Sequence, residues 1–87
     1  MQELEIVVRG RFCPSTVVVK KDIPARLLLN RQENDPCSQQ VIISGFRQER
    51  WLPPFATTPV QFIPNKLGEY LFTCSLGMYQ GRLVVEE

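Results

Sequence analysis

The chain has 87 residues, 44% of them hydrophobic, enough for one core that buries roughly 60–65% of the unfolded chain's surface. Ten basic and nine acidic residues leave a net charge of +1, which excludes the basic footprint of a nucleic-acid binder and a polybasic membrane patch. There is no histidine, so the commonest general base and the commonest metal ligand are both missing, and no apolar run approaches the ~20 residues of a membrane span.

Taken in order, Leu4-Glu5-Ile6-Val7-Val8-Arg9 alternates and is rich in β-branched residues, which predicts a first strand with Leu4, Ile6 and Val8 on one face. Gly10 ends it, and Phe12-Cys13-Pro14-Ser15 reads as a turn or bulge, because proline removes a ladder donor. Thr16 to Lys20 is a second strand whose Val17-Val18-Val19 run is expected to be apolar on both faces. After the turn at Lys21-Asp22-Ile23-Pro24, Ala25 to Asn30 is short enough to be a strand despite its leucine run. Arg31 to Ser38 is polar and irregular, a connection in which Arg31 and Glu33 are placed to form an ion pair or to cap backbone groups. Gln40 to Ser44 is a further strand ended by Gly45, and Phe46 to Trp51 a short one. Leu52-Pro53-Pro54-Phe55 must be loop. With Trp51 it offers either an exposed apolar docking patch at Trp51 and Phe55 or a cover over the open edge of the fold. Val60 to Pro64 alternates again, and Asn65-Lys66-Leu67-Gly68 turns into the last two strands.

Those strands and the loop between them carry the chain's most distinctive chemistry. Tyr70, Phe72 and Cys74 share one face of a pleated strand, and Leu83 and Val85 repeat the period on the return. Cys74 therefore arrives at the end of a core-facing strand, with the Met78 thioether four residues later. Short strands about ten residues apart, punctuated by Pro, Gly and Asn, predict an all-β domain over residues 1–87, an antiparallel sandwich or barrel of seven or eight strands. Cys13, Cys37 and Cys74 are odd in number and far apart, which suits a reducing compartment better than a secreted disulfide scaffold. With an N-terminus that is acidic and alternating, a cytoplasmic location is expected, unless the chain is an excised domain of a larger membrane or exported protein. No nucleophile–base pair or phosphate loop is present, so an enzyme is not expected.

The run Phe62-x-Pro64 … Gly68-x-Tyr70-x-Phe72-x-Cys74 … Met78-x-x-Gly81-x-Leu83-x-Val85 resembles the cupredoxins, the plastocyanin and azurin family of copper-binding Greek-key sandwiches. Phe12-x-Pro14 with Val17 and Val19, and Cys37 with Val41 and Ile43, extend the likeness upstream. Arg31-x-Glu33, Leu52-Pro53 and Gly77-Met78 resemble most the cupredoxin-like domains found alone or fused to copper-transporting ATPases. The resemblance implies that Cys74 stands at the thiolate-ligand position, Met78 near the axial methionine and Cys37 at the first histidine. It also implies that the turn carrying Cys13 lies towards the same end of the sandwich.

Both ligand histidines of that family are missing here, so a blue copper electron-transfer centre cannot form from this chain's own residues. The remaining donors, Cys74, Cys37, Met78 and a possible fourth in Cys13, are all sulfur, which favours Cu(I). The expectation is a domain that carries, delivers or senses Cu(I) for a copper-transport protein or ATPase. Two other readings stay open: a metal-free interaction module that has lost the copper centre, and a thiol redox switch between Cys37 and Cys74. For each cysteine and for Met78, packing as a small or flexible hydrophobe is the competing role.

Overall fold

The computed structural model describes residues 1–46 and 48–87. Its strands are β1 (Gln2–Val8), β2 (Phe12–Cys13), β3 (Thr16–Lys20), β4 (Ala25–Arg31), β5 (Gln40–Ile43), β6 (Gln48–Trp51), β7 (Ala56–Phe62), β8 (Gly68–Cys74) and β9 (Gln80–Glu86), with one 3-10 turn at Pro36–Ser38. They form two sheets, ordered β2-β1-β4-β7 and β3-β9-β8-β5-β6, packed face to face as a sandwich. Among the described residues no helix is long and apolar enough to cross a membrane.

Period-two patterning decides which side chains meet between the sheets. Ile6 and Val8 of β1, Ala25, Leu27 and Leu29 of β4, and Val60 and Phe62 of β7 face Val17 and Val19 of β3, Val41 and Ile43 of β5, Phe72 and Cys74 of β8, and Leu83 and Val85 of β9. Burying each large apolar side chain stabilises the fold by roughly 1.5–3 kcal/mol. The backbone of β9 comes close to β8 at Gly81, where a Cβ would collide with the Phe72 ring.

The all-β sandwich expected from the sequence is present, with differences of detail. Among the described residues there are nine strands, because Phe12–Cys13 pairs with Val7–Val8 where a turn was expected. The sheets are not purely antiparallel: β1 with β4 and β3 with β9 run parallel. The reason is topological. After β1 the chain crosses to the other sheet, runs back as β3, and re-enters beside β1 from the same end that β1 started from. Val18 is exposed, so β3 has one buried face, that of Val17 and Val19, and not two. The strand expected from Val60 begins at Ala56 and contains Pro59, which is tolerated because β7 is an edge strand paired only to β4. The strand expected over Phe46–Trp51 begins at Gln48; Phe46 lies in a turn, and residue 47 lies outside the described residues.

This topology gives the sandwich two distinct ends. The C-termini of β1, β4 and β8 and the N-termini of β2, β5, β7 and β9 meet at one end, and with them the segments 9–11, 32–39, 52–55 and 75–79.

Candidate metal centre

Cys74 closes β8 opposite Val41 of β5, with its side chain buried. The chain then turns tightly. The Gly77 N–H donates to the Cys74 carbonyl at 3.0 Å, and the Cys74 N–H donates to the Tyr79 carbonyl at 3.1 Å. Gly77 sits at φ +71°, a conformation that glycine adopts at little cost. The turn delivers the Tyr79 N–H to the thiol, donating to Cys74 Sγ at 3.3 Å. The sulfur thus accepts a backbone donor on one side.

Cys37 is held by a different device. Asp35 caps the 3-10 turn, its Oδ1 accepting the Cys37 N–H at 2.8 Å, and Pro36 occupies the first turn, where no N–H is needed. The Cys37 side chain is half-buried and packs against the core. A hydrogen bond to Asp35 raises the pKa of its thiol above the ordinary value, with burial and the negative charges of Asp35 and Glu33 acting in the same direction. The Asp35 carboxyl is held below its ordinary value, chiefly by the Cys37 N–H that it accepts.

Between these two segments lies a polar cluster. Arg31, only 2% exposed, donates through Nε to Ser38 Oγ (3.0 Å), through Nη1 to the Leu52 carbonyl (2.7 Å) and through Nη2 to the Asp35 carbonyl (2.6 Å). Glu33 accepts the Gly10 N–H on Oε1 at 2.5 Å, and on Oε2 the Ser38 hydroxyl at 2.5 Å and the Tyr79 hydroxyl at 2.8 Å. Arg31 and Glu33 cap backbone groups as expected, but they form no direct ion pair and meet through the Ser38 hydroxyl. Burial pushes the Glu33 carboxyl up, yet the donors Ser38, Tyr79 and Gly10 outweigh it and hold the group below its ordinary value. Burial and the bond to Glu33 push the Tyr79 phenol well up, so at neutral pH it is a proton donor.

Of the residues singled out from the sequence, Cys74 belongs to the buried core cluster and Cys37, on a loop at the same end of the sandwich, packs against that cluster. Met78 lies on the Cys74 turn and is 70% exposed. Cys13 is exposed on β2, and because its neighbour Phe12 is buried, it points to the opposite face. All three thiols are free. Trp51 and Phe55 are 69% and 73% exposed at the same end, while Leu52 between them is buried, so the loop both covers the edge and presents apolar side chains. Among the described residues no three His, Cys, Asp or Glu side chains gather into a metal cluster. Two thiols are too few for four-coordinate zinc, and thiol and thioether sulfurs are soft donors.

Sequence reasoning missed Ser38 and Tyr79. Both had a signal. Extending the buried alternation of Gly81, Leu83 and Val85 back by two places puts the Tyr79 side chain inside, where its ring meets Phe12 edge-on at 5.8 Å. Asp35-Pro36-Cys37-Ser38 is a capping signature.

An NMR structure of a copper binding protein in the apo form is similar to this chain, with a TM-score of 0.92 at 32% identity, over 97% of this chain and 86% of that one. The metal-binding domain of the Streptococcus pneumoniae D39 Cu(I)-exporting P-type ATPase CopA, solved with Cu(I), aligns with a TM-score of 0.95 at 21% identity, over 98% of this chain and 85% of that one. Dithionite-reduced auracyanin from Roseiflexus castenholzii aligns at 0.77 and 13% identity, over 100% of this chain and 98% of that one. At those lower identities the latter two share the fold. Among curated proteins no sequence matches significantly. The sequence profile of the cupredoxin-like domain matches residues 1–85, and the chain belongs to that family.

Proposed function

We propose that this domain binds Cu(I) as cargo through the thiols of Cys74 and Cys37, with Met78 as a thioether donor on the same turn, and passes it to or senses it for a copper-transport protein such as a transporting ATPase. The observation that carries this reading is the pair of free thiols on adjoining segments of one end of a cupredoxin-like sandwich that has no histidine. The likeness to a copper binding protein and to a Cu(I)-loaded ATPase domain supports the choice of ion. Sulfur donors disfavour Cu(II), so the ion would be held without ready redox cycling. Each thiol must release its proton as it takes the ion. Because Cys37 is biased towards its protonated form, Cu(I) competes with protons there, and affinity rises with pH. The exposure of Met78 suits handover, since an incoming donor can replace the thioether before the thiols let go.

Titration of the reduced protein with Cu(I) against a competing chelator tests this. About one Cu(I) or more per chain is expected, with affinity reduced by more than about a hundredfold in Cys74→Ser, beyond the 10–100-fold typical of outer-shell changes. Stoichiometry well below one, or an unchanged affinity in Cys74→Ser, overturns the reading. The exposure of Trp51 and Phe55 favours a second reading, a metal-free interaction module docking through those side chains. It requires that Trp51→Ala abolish partner binding while no Cu(I) binds.

A further inference from the structure

We propose that Glu33 is the positioning residue of the thiol pair: one carboxylate collects a donor from each of three loops and thereby fixes the spacing of the Cys37 and Cys74 sulfurs. Its metal-binding consequence rests on the copper reading above; the spacing itself does not.

The path from each thiol to Glu33 is a single residue long. Tyr79 places its backbone N–H on Cys74 Sγ and its hydroxyl on Glu33 Oε2. Ser38 directly follows Cys37 and places its hydroxyl on the same oxygen. The other oxygen takes the Gly10 N–H from the loop between β1 and β2. Neither arm is free to swing. The Tyr79 ring is buried edge-on against Phe12, and the Ser38 oxygen is met from the other side by Arg31 Nε. The segment 32–39 is tied by backbone bonds at its two ends, Gln32 N–H to the Val8 carbonyl at 3.0 Å and Leu52 N–H to the Gln39 carbonyl at 2.8 Å, and between them the side-chain bonds of Arg31, Glu33 and Ser38 hold it to the neighbouring loops.

A carboxylate is suited to this place because it only accepts, and here all three partners donate to it. Glutamine has nearly the same shape but would turn an NH2 towards one of those donors. Glu33→Gln therefore perturbs the junction without opening a cavity, and Tyr79→Phe removes one hydroxyl while keeping both the ring and the N–H to sulfur. A purely structural role would make any loss follow global stability. A positioning role makes it follow the junction.

Two measurements on the reduced full chain separate these outcomes. The first is Cu(I) affinity by chelator competition. The second needs no copper: phenylarsine oxide forms two As–S bonds with a thiol pair held close together and releases one water, so its capture by the metal-free protein reads sulfur spacing. Glu33→Gln and Tyr79→Phe are each expected to weaken Cu(I) binding by about tenfold and to weaken arsenical capture in parallel. The double variant should be little weaker than the weaker single one, because both changes break one path. Val19→Ala, buried on β3 away from the junction, should lower the unfolding midpoint and leave both readouts unchanged. Unchanged capture in Glu33→Gln, or an equal loss in Val19→Ala, overturns the proposal. So does a wild type that captures no arsenical. A wild type that captures the arsenical but binds no Cu(I) removes the copper reading alone, and the arsenical series then decides the role of Glu33.

Discussion

The two ends of the sandwich carry similar charged residues and use them in opposite ways. At the end bearing the termini of the chain, Lys20 pairs with Glu86 at 2.7 Å, Lys21 with Asp22 at 3.1 Å and Arg26 with Glu3 at 3.1 Å, their side chains between 35% and 64% exposed. At the thiol end, Arg31 is buried and has no carboxylate partner in direct contact; its three bonds go to two carbonyls and a hydroxyl. Exposed pairs contribute about 0–1 kcal/mol each, since water competes for both partners. A buried cation is already desolvated, so every donor it holds must be matched, and removing it strands its acceptors. Charge at the first end decorates the surface. At the second end it holds irregular segments in place where no ladder can.

The largest expected effect is therefore at Arg31. Arg31→Met leaves the Leu52 and Asp35 carbonyls and the Ser38 oxygen without that donor, and should destabilise the fold by about 3 kcal/mol. In a domain of this size that is a drop in Tm on the order of 15 °C, readable by circular dichroism. Arg31→Lys should recover less than half of the loss, because an ammonium cannot span three acceptors set by a planar fork. A lysine variant as stable as wild type would break the comparison, since charge and not geometry would then be what the site end needs.

What was legible in the sequence follows the same division. The alternation of Ile6 with Val8, and of Phe72 with Cys74, names faces, and the structure buries them as read. That Cys74 ends a core-facing strand was readable for the same reason. Partners were not. Tyr79 and Glu33 lie 46 residues apart, and no local period says that a phenol from one loop will meet a carboxylate from another. Arg31 shows the limit from the other side. Its place on the buried phase of β4 follows directly from Leu27 and Leu29, yet its charge argued for the surface. Pattern placed it inside and only the fold supplied its acceptors. Cys13 misled in a related way. Pro14 made its segment read as a turn, whereas pairing with Val7 makes it a strand residue on the outward phase.

A second, smaller effect sharpens the contrast through pH. Unfolded, Glu33 takes up a proton near its ordinary value of 4.5; folded, its donors hold it ionised to lower pH. Its contribution is complete above the unfolded value and is lost as pH falls through the lower folded one. The urea midpoint should therefore fall as the pH drops below about 4.5, and fall less steeply in Tyr79→Phe and Glu33→Gln. Parallel slopes in all three proteins would mean that the junction donors do not favour the ionised form.

The smallest effect is expected at Lys20, and it tests whether exposure is the governing variable. Lys20 and Glu86 are 53% and 49% exposed, so their bond competes with water and with the entropy of two flexible side chains. Lys20→Ala should cost under about 1 kcal/mol, and the difference should vanish in about 1 M salt, where the screening length is ~3 Å. The main chain of Lys20 is held independently. Its N–H donates to Gln2 Oε1, and Gln2 Nε2 donates to the carbonyls of Lys20 and Ile23, each at 2.9 Å. Gln2→Ala removes that uncharged clasp and should cost more, about 1–2 kcal/mol, with no salt dependence. The order Arg31, Gln2, Lys20 would mean that what matters at either end is the number of backbone groups a side chain satisfies, and not whether it is charged. If Lys20→Ala instead costs as much as Gln2→Ala and the loss persists in salt, the ion pair is structural, and the two ends differ only in burial.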